Sequence, residues 1–280
     1  AKNRPQGRPV STGGKDAAAP QVRIIEHADV KRMLLAQKSS CVGALALELY
    51  CARLVDEQHT AEAGAADDAR LLLEVLTPIA KSWPSEWCLE ANSLAIQVLG
   101  GYGYTRDFPV EQYWRDNRLN MIHEGTHGIQ GMDLLGRKVV MDGGAGLQLL
   151  ATTIGKTIER AGPVAGLREH GTELADALKR LQAATQAAWS TSNPEDALAN
   201  ATPYLQAFGH VVLAGMWLEV ALAAQAPAET GTASPEAGFV QGKLQACRYF
   251  FAYELPKIDA WLAVVASRSA ICRAMQEDWF

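Results

Sequence analysis

A carboxylate at Glu124 is followed by Gly125 and Thr126 and preceded by the apolar pair Met121 and Ile122. Apolar surroundings disfavour the charged form of a carboxylate, so its pKa rises and it becomes a base suited to taking a proton from a weakly acidic carbon. Upstream, a turn rich in glycine and tyrosine (Gly100, Gly101, Tyr102, Gly103, Tyr104) offers backbone that a large polar ligand can approach, since glycine has no side chain in the way. Between the two stands a charged cluster of Arg115, Asp116 and Arg118. Plainer readings exist for each. Glu124 could be a carboxylate favoured by the positive end of a helix, and Gly100 and Gly101 a glycine stop to a long helix.

The elements that must hold these residues read as helices. From Gln21 the apolar positions Ile24, Ile25, Ala28, Met33 and Leu34, then Leu45, Leu49 and Leu54, follow helical spacing and predict one helix to about Gln58. After a break at 64–68, where Asp67 and Asp68 are candidate caps, a second long helix is predicted from about Ala66 to Leu99, with Pro84 marking a kink or a join. Shorter helices are predicted over 110–121 and 125–141. Two long amphipathic helices and two shorter ones predict an antiparallel four-helix bundle. Gly143, Gly144 and Gly146 then punctuate the chain, and Ala- and Leu-rich helical runs follow at 147–162, 166–190, 194–224, 234–254 and 256–278. The expected fold class is all-α, with the bundle in residues 1–142 and an additional helical domain in 143–280. No strand and no internal repeat is predicted.

Composition narrows the partners. The 280 residues are 48% hydrophobic and carry a formal charge of −5, which argues against a sequence-independent nucleic-acid binder needing a basic face for phosphates. Five cysteines without CxxC spacing read as reduced thiols, with Cys41 and Cys51 expected as small buried hydrophobes. His27, His59, His170 and His210 show no metal-ligand spacing, so no metal site is expected. No uninterrupted apolar run reaches membrane-spanning length, and the opening AKNRPQGRP lacks a signal-peptide core. The expected location is cytoplasmic.

The stretch Gln97 to Lys138, QVLGGYGYTRDFPVEQYWRDNRLNMIHEGTHGIQGMDLLGRK, strongly resembles the C-terminal signature of the acyl-CoA dehydrogenases. A GG-x-GY turn, P-V-E, R-D and an E-G-T box stand in that order. The similarity extends back through residues 21–96. Beyond about residue 143 the chain resembles the extra helical domain of a longer subfamily that includes 3-methylmercaptopropionyl-CoA dehydrogenases. YFFAYELPKIDAWL and the terminal MQEDWF support that placement. With no Met at residue 1, the chain reads as the C-terminal portion of a longer protein.

The resemblance implies an FAD-dependent enzyme that introduces a double bond between Cα and Cβ of an acyl-CoA thioester. Glu124 matches the family's base, which removes the α-proton while a hydride leaves Cβ for the flavin. Thr126 matches a threonine that hydrogen-bonds the FAD pyrophosphate region. Gln97, Gly100 and Gly101 match the element that contacts the ADP half of FAD across a subunit interface, and Arg4 an arginine that pairs with FAD phosphates. Where many relatives carry Gln two residues after the threonine this chain has Gly128, leaving Gln130 as a weaker candidate. His123 replaces the Tyr common before the base. Arg115 and Asp116 match the R-D element, read as a buried ion pair or capping cluster that holds the base loop. Implied partners are an acyl-CoA substrate, an electron-transfer flavoprotein as acceptor, and further copies of the chain in a homo-oligomer. The alternative reading keeps the fold without the reaction, as a helical assembly or nucleic-acid-associated relative.

Overall fold

In a computed structural model, residues 1–10, 13–14, 17–123, 125–229 and 237–280 are described, with backbone only for 226–229. The chain is 80% helical, and no β-strand occurs among the described residues. The helices are α1 (Ala28–Thr60), α2 (Ala63–Leu99), α3 (Val110–Asn120), α4 (His127–Asp133), α5 (Ala145–Ala161), α6 (Arg168–Ala188), α7 (Pro194–Leu198), α8 (Ala201–Glu229), α9 (Ala237–Tyr249), α10 (Ile258–Ser267) and α11 (Ile271–Ala274).

The predicted elements exist, but several ends differ for identifiable reasons. α1 begins at Ala28 rather than near Gln21, because residues 22–24 pair with the N-terminus, and a short 3-10 turn, Ile24–Glu26, followed by the extended His27, separates them from the helix. Gln6 N–H donates to Val22 O (2.9 Å), Val22 N–H to Gly7 O (3.0 Å) and Ile24 N–H to Arg4 O (2.9 Å). Asp67 and Asp68 lie inside α2, whose N-cap is Glu62. Both Pro78 and Pro84 sit within α2 without ending it. Each removes a backbone donor, and beside the second the Ser85 hydroxyl donates to the Ser82 carbonyl (2.8 Å). The helix expected over 125–141 divides into α4 and a π-helical turn, Leu134–Lys138. The run at 194–224 breaks into α7 and α8 around Asn200, and the last run breaks at Arg268, whose φ of 51° is left-handed.

α1 and α2 form an antiparallel hairpin against which α3 and α4 rest, and α8 passes through the centre. It packs on α1, α2, α4, α5, α6, α9 and α10. Tyr204, Phe208 and Trp217 of α8 are fully buried, and one apolar cluster joins them to Leu47, Leu76 and Ile79 of the first two helices. Close crossings are built on glycine. A β-carbon at Gly209 would stand 2.5 Å from Trp83 Cδ1, and one at Gly131 would stand 2.6 Å from Ala201 O, so α8 approaches α2 and α4 only because both positions lack a side chain. The segment Ala201–Gln225 is long and apolar enough to cross a membrane, with mean hydropathy 1.6. His210 and Glu219 interrupt it, so it is not an uninterrupted apolar run. Its most apolar window is 67% buried within the protein, as befits a core helix.

His210, expected as an isolated histidine, is fully buried in a cage of Trp83, Trp87, Phe250 and Trp261. Trp83 Nε1 donates to His210 Nδ1 at 3.1 Å. Of the C-terminal aromatics, Tyr249, Phe250 and Phe251 are buried, whereas Tyr253, Trp279 and Phe280 are exposed. The last two lie past α10, where no element covers them.

The cysteines split. Cys51 is buried as expected, but Cys41 is exposed, because it falls with Leu45 and Leu49 on the face of α1 turned away from the core. Contact with the Cys88 side chain brings the Cys41 thiol down to about 7, while burial pushes Cys51 and Cys247 up to about 12. Because the thiolate is the reactive form, iodoacetamide near neutral pH is expected to alkylate Cys41 on the order of a hundredfold faster than Cys51 or Cys247. Equal rates in peptide mass spectra would contradict this assignment.

Candidate functional site

α2 ends at Gly100, which adopts φ 64° and returns its N–H to Gln97 O. That left-handed conformation favours glycine. It turns the chain into a 3-10 segment, Gly100–Tyr104, in which Gly103 lies against the backbone of Ile96. A β-carbon at Gly100 or Gly101 would meet nothing within 4 Å, so the turn presents bare backbone to open space. That space is a cavity of about 690 Å³.

The N-terminal pairing supplies the other wall. It places Arg4 across the cavity from Gln97, Gly100 and Gly101, although 93 residues separate Arg4 from Gln97 in sequence. The Arg4 guanidinium lies 5.5 Å from the centre of the Tyr102 ring. His27 also lines the cavity, its Nε2 2.7 Å from Gln6 O. Among the described residues no acidic side chain is part of the lining, and the one formal charge there is the cation of Arg4. An arginine facing a glycine turn that leaves room for a ligand suits a phosphate-bearing one.

The base loop lies at the other end of α3. Glu124 itself is outside the described residues. Its neighbour Met121 is half-buried, but Ile122 is 53% exposed and His123 is exposed as well. α3 buries none of its residues, and Ile122 just beyond it faces solvent. Gly125 has φ 99°, and a β-carbon on it would stand 3.0 Å from Gln130 Nε2. Gln130 is buried, so its side chain lies under the loop. Thr126 is the N-cap of α4 in extended conformation, without a capping hydrogen bond from its side chain. Neither Thr126 nor Gln130 lines the cavity that gathers Arg4, Gln97, Gly100 and Gly101.

Two further residues change the picture. Arg115 does not form a buried pair with Asp116. It donates to Glu111 Oε2 (2.8 Å) and Oε1 (3.4 Å) on the exposed face of α3. Adjacent helical residues point about 100° apart, whereas residues four apart share a face. This bond holds the Glu111 carboxylate below its usual range. His127, immediately after the loop, was not foreseen, because a single histidine carries no spacing signal. Its ring is largely buried, neither ring nitrogen has a hydrogen-bond partner among the described residues, and Nδ1 stands 3.8 Å from Glu86 Oε2. Glu86 in turn accepts from Gln206 Nε2 of α8 (2.6 Å). Trp114 and Tyr104 are exposed.

Comparison with known proteins fits this geometry. The family described as "Acyl-CoA dehydrogenase, C-terminal domain" matches residues 15–139, and "Acetyl-CoA dehydrogenase C-terminal like" matches residues 150–276. A broad-specificity linear acyl-CoA dehydrogenase, FadE5, of Mycobacterium tuberculosis is 30% identical over 276 residues, covering 95% of this chain and 45% of that protein. A 3-methylmercaptopropionyl-CoA dehydrogenase of Ruegeria pomeroyi is 33% identical over 255 residues, 89% of this chain and 42% of its own length. The chain thus spans less than half the length of these relatives. Among solved structures, an acyl-CoA dehydrogenase complexed with FAD from Bacillus anthracis superposes with a TM-score of 0.69 at 14% identity, covering 96% of this chain and 46% of that one. Caenorhabditis elegans ACDH-11 in complex with C11-CoA superposes with a TM-score of 0.63 at 20% identity, over 84% of this chain and 38% of its own. At these identities the structural likeness concerns the fold.

Proposed function

Because the chain belongs to the acyl-CoA dehydrogenase family and matches its C-terminal portion, we propose that it furnishes the proton-abstracting base and the nucleotide end of the FAD site for α,β-dehydrogenation of an acyl-CoA thioester. The observation that carries this reading is the meeting of Arg4 with Gln97, Gly100 and Gly101 around one cavity. These residues are widely separated in sequence, yet they are the ones that the family resemblance assigns to the cofactor. The cavity fits the group chemically. A cation faces a turn whose two leading glycines leave room where side chains would stand, and a dinucleotide brings phosphates that such a turn and an arginine can hold.

In this reading Arg4 pairs with phosphate, and the backbone of Gly100 and Gly101 with the Gln97 side chain holds the adenine half. Thr126 bonds the pyrophosphate region, while Gln130, lying under Gly125, keeps the loop in shape. Glu124 takes the α-proton of the thioester. An α-proton is only weakly acidic, so the carboxylate must be desolvated to raise its basicity. With Ile122 exposed, that shielding comes from the bound substrate and from surfaces beyond this chain. Bound FAD supplies the acceptor for the hydride released from Cβ. The acyl group stays open, with 3-methylmercaptopropionyl-CoA one candidate supported by the Ruegeria relative. An electron-transfer flavoprotein as acceptor, a homo-oligomer sharing FAD between subunits, and a cytoplasmic setting complete the proposal.

The test is cofactor retention in a flavin-loaded enzyme containing this chain. Arg4→Ala is expected to weaken FAD binding roughly tenfold, the loss of one charge-assisted phosphate contact. The parent enzyme should be yellow and bleach when its acyl-CoA substrate is added. FAD binding unchanged in Arg4→Ala, measured after gel filtration, would remove the cavity from the cofactor site.

A further inference from the structure

A second cavity, of about 420 Å³, lies between α1, α5 and α8, away from both the glycine turn and the base loop. Its size is within the roughly 300–1,000 Å³ typical of small-molecule sites. The floor is apolar, with Leu150 and Ile154 from α5 and Val212, Met216 and Val220 from α8. The rim is cationic, with Arg53, Lys156 and Arg160 set against the single acid Glu219.

The charges are unequally satisfied. Glu219 is committed within the protein, accepting from the buried Thr157 hydroxyl (2.6 Å) and from Arg160 Nη1 (2.8 Å). Arg53 lies 3.3 Å from Glu57 and stacks over the Tyr50 ring at 5.0 Å. Lys156 has no carboxylate partner among the described residues. One uncompensated ammonium therefore stands at the mouth of a greasy hole, with two guanidinium groups beside it.

We propose that this cleft binds a fatty carboxylate, with its alkyl chain along the α5–α8 floor and its head at Lys156. Apolar lining with a few convergent polar groups is the usual make-up of a ligand site. Here the polar groups select one sign of charge. Gly215 keeps the floor open, because a β-carbon there would meet only Ile154, at 3.6 Å. Gly215→Leu adds a side chain from this position, whose β-carbon meets no backbone within 4 Å. This inference is independent of the dehydrogenase reading, since its test involves neither flavin nor thioester.

The experiment titrates decanoate, decanol and decyl phosphate onto the 280-residue chain by calorimetry, with circular dichroism melts confirming that each variant is folded. Decanoate is expected to bind saturably and roughly tenfold more tightly than decanol, the worth of one favourable ion contact. Lys156→Glu should weaken decanoate by at least about the same factor, and Gly215→Leu should abolish binding with the melting temperature retained. Decanol binding as well as decanoate, or both folded variants binding like the parent, would overturn the proposal. Decyl phosphate binding more than about tenfold better than decanoate, with the same sensitivity to Lys156, would overturn the carboxylate assignment.

Discussion

Glu124→Gln is expected to leave FAD bound while lowering turnover about 10²–10⁴-fold, the range usually lost with a general base. The amide has nearly the shape of the carboxylate but cannot accept a proton at neutral pH. Gly125 with its φ of 99°, the Thr126 cap and the buried Gln130 are all unchanged by the substitution. Flavin absorbance should therefore persist when activity is gone, which separates a missing base from a collapsed loop. The measurement is single-turnover flavin bleaching on mixing with acyl-CoA. A variant retaining more than roughly a tenth of the parental rate would show that another group removes the α-proton.

Trp217→Ala is expected to destabilise the protein by about 3–5 kcal/mol, as for other large aromatic truncations in a core. Trp217 is fully buried, and its Nε1 donates to Ser39 O at 3.2 Å, linking positions 178 residues apart. Gly43 is matched to it, since a β-carbon there would stand 2.9 Å from that nitrogen. The side chain thus ties α8, in the C-terminal stretch, to α1 in the N-terminal one. We propose that the two stretches, 1–142 and 143–280, unfold as one cooperative unit because they share this core. Urea denaturation followed by circular dichroism should show a single transition with a lowered midpoint. Two separate transitions, with only the later helices affected, would defeat the shared-core account.

How much of this was legible in the residues depends on the range of the interaction involved. Helical spacing revealed nearly every helix, and Gly100 announced the end of α2, because these signals are local. Helix ends failed where distant contacts decided them. The start of α1 is set by strand-like pairing of residues 4–7 with 22–24, which no helical periodicity can display. Arg4 was singled out only through the family resemblance, and it takes the fold to place it across from Gly100. Cys41 was misjudged because a helix with apolar residues on several faces does not declare which face is covered. Arg115 and Asp116 read as a couple in the letters, yet the helix turns them apart and gives Arg115 to Glu111. His127 offered no pattern at all, and only its buried ring beside Glu86 marks it out.

The central position of α8 has a consequence during synthesis. On the ribosome Ala201–Gln225 is complete before α9 and α10 have been made, and both are among the elements that later enclose it. At about 5–20 residues per second the last of that cover follows on the order of seconds later. For that interval a stretch greasy enough for a lipid bilayer lacks the part of its wrapping that α9 and α10 provide, an open invitation to chaperones and to neighbouring nascent chains. A translation arrest placed where Ala201–Gln225 has left the exit tunnel but α9 and α10 are still inside it should yield crosslinks to such factors, and an arrest with a C-terminal spacer long enough to bring α10 out as well should not.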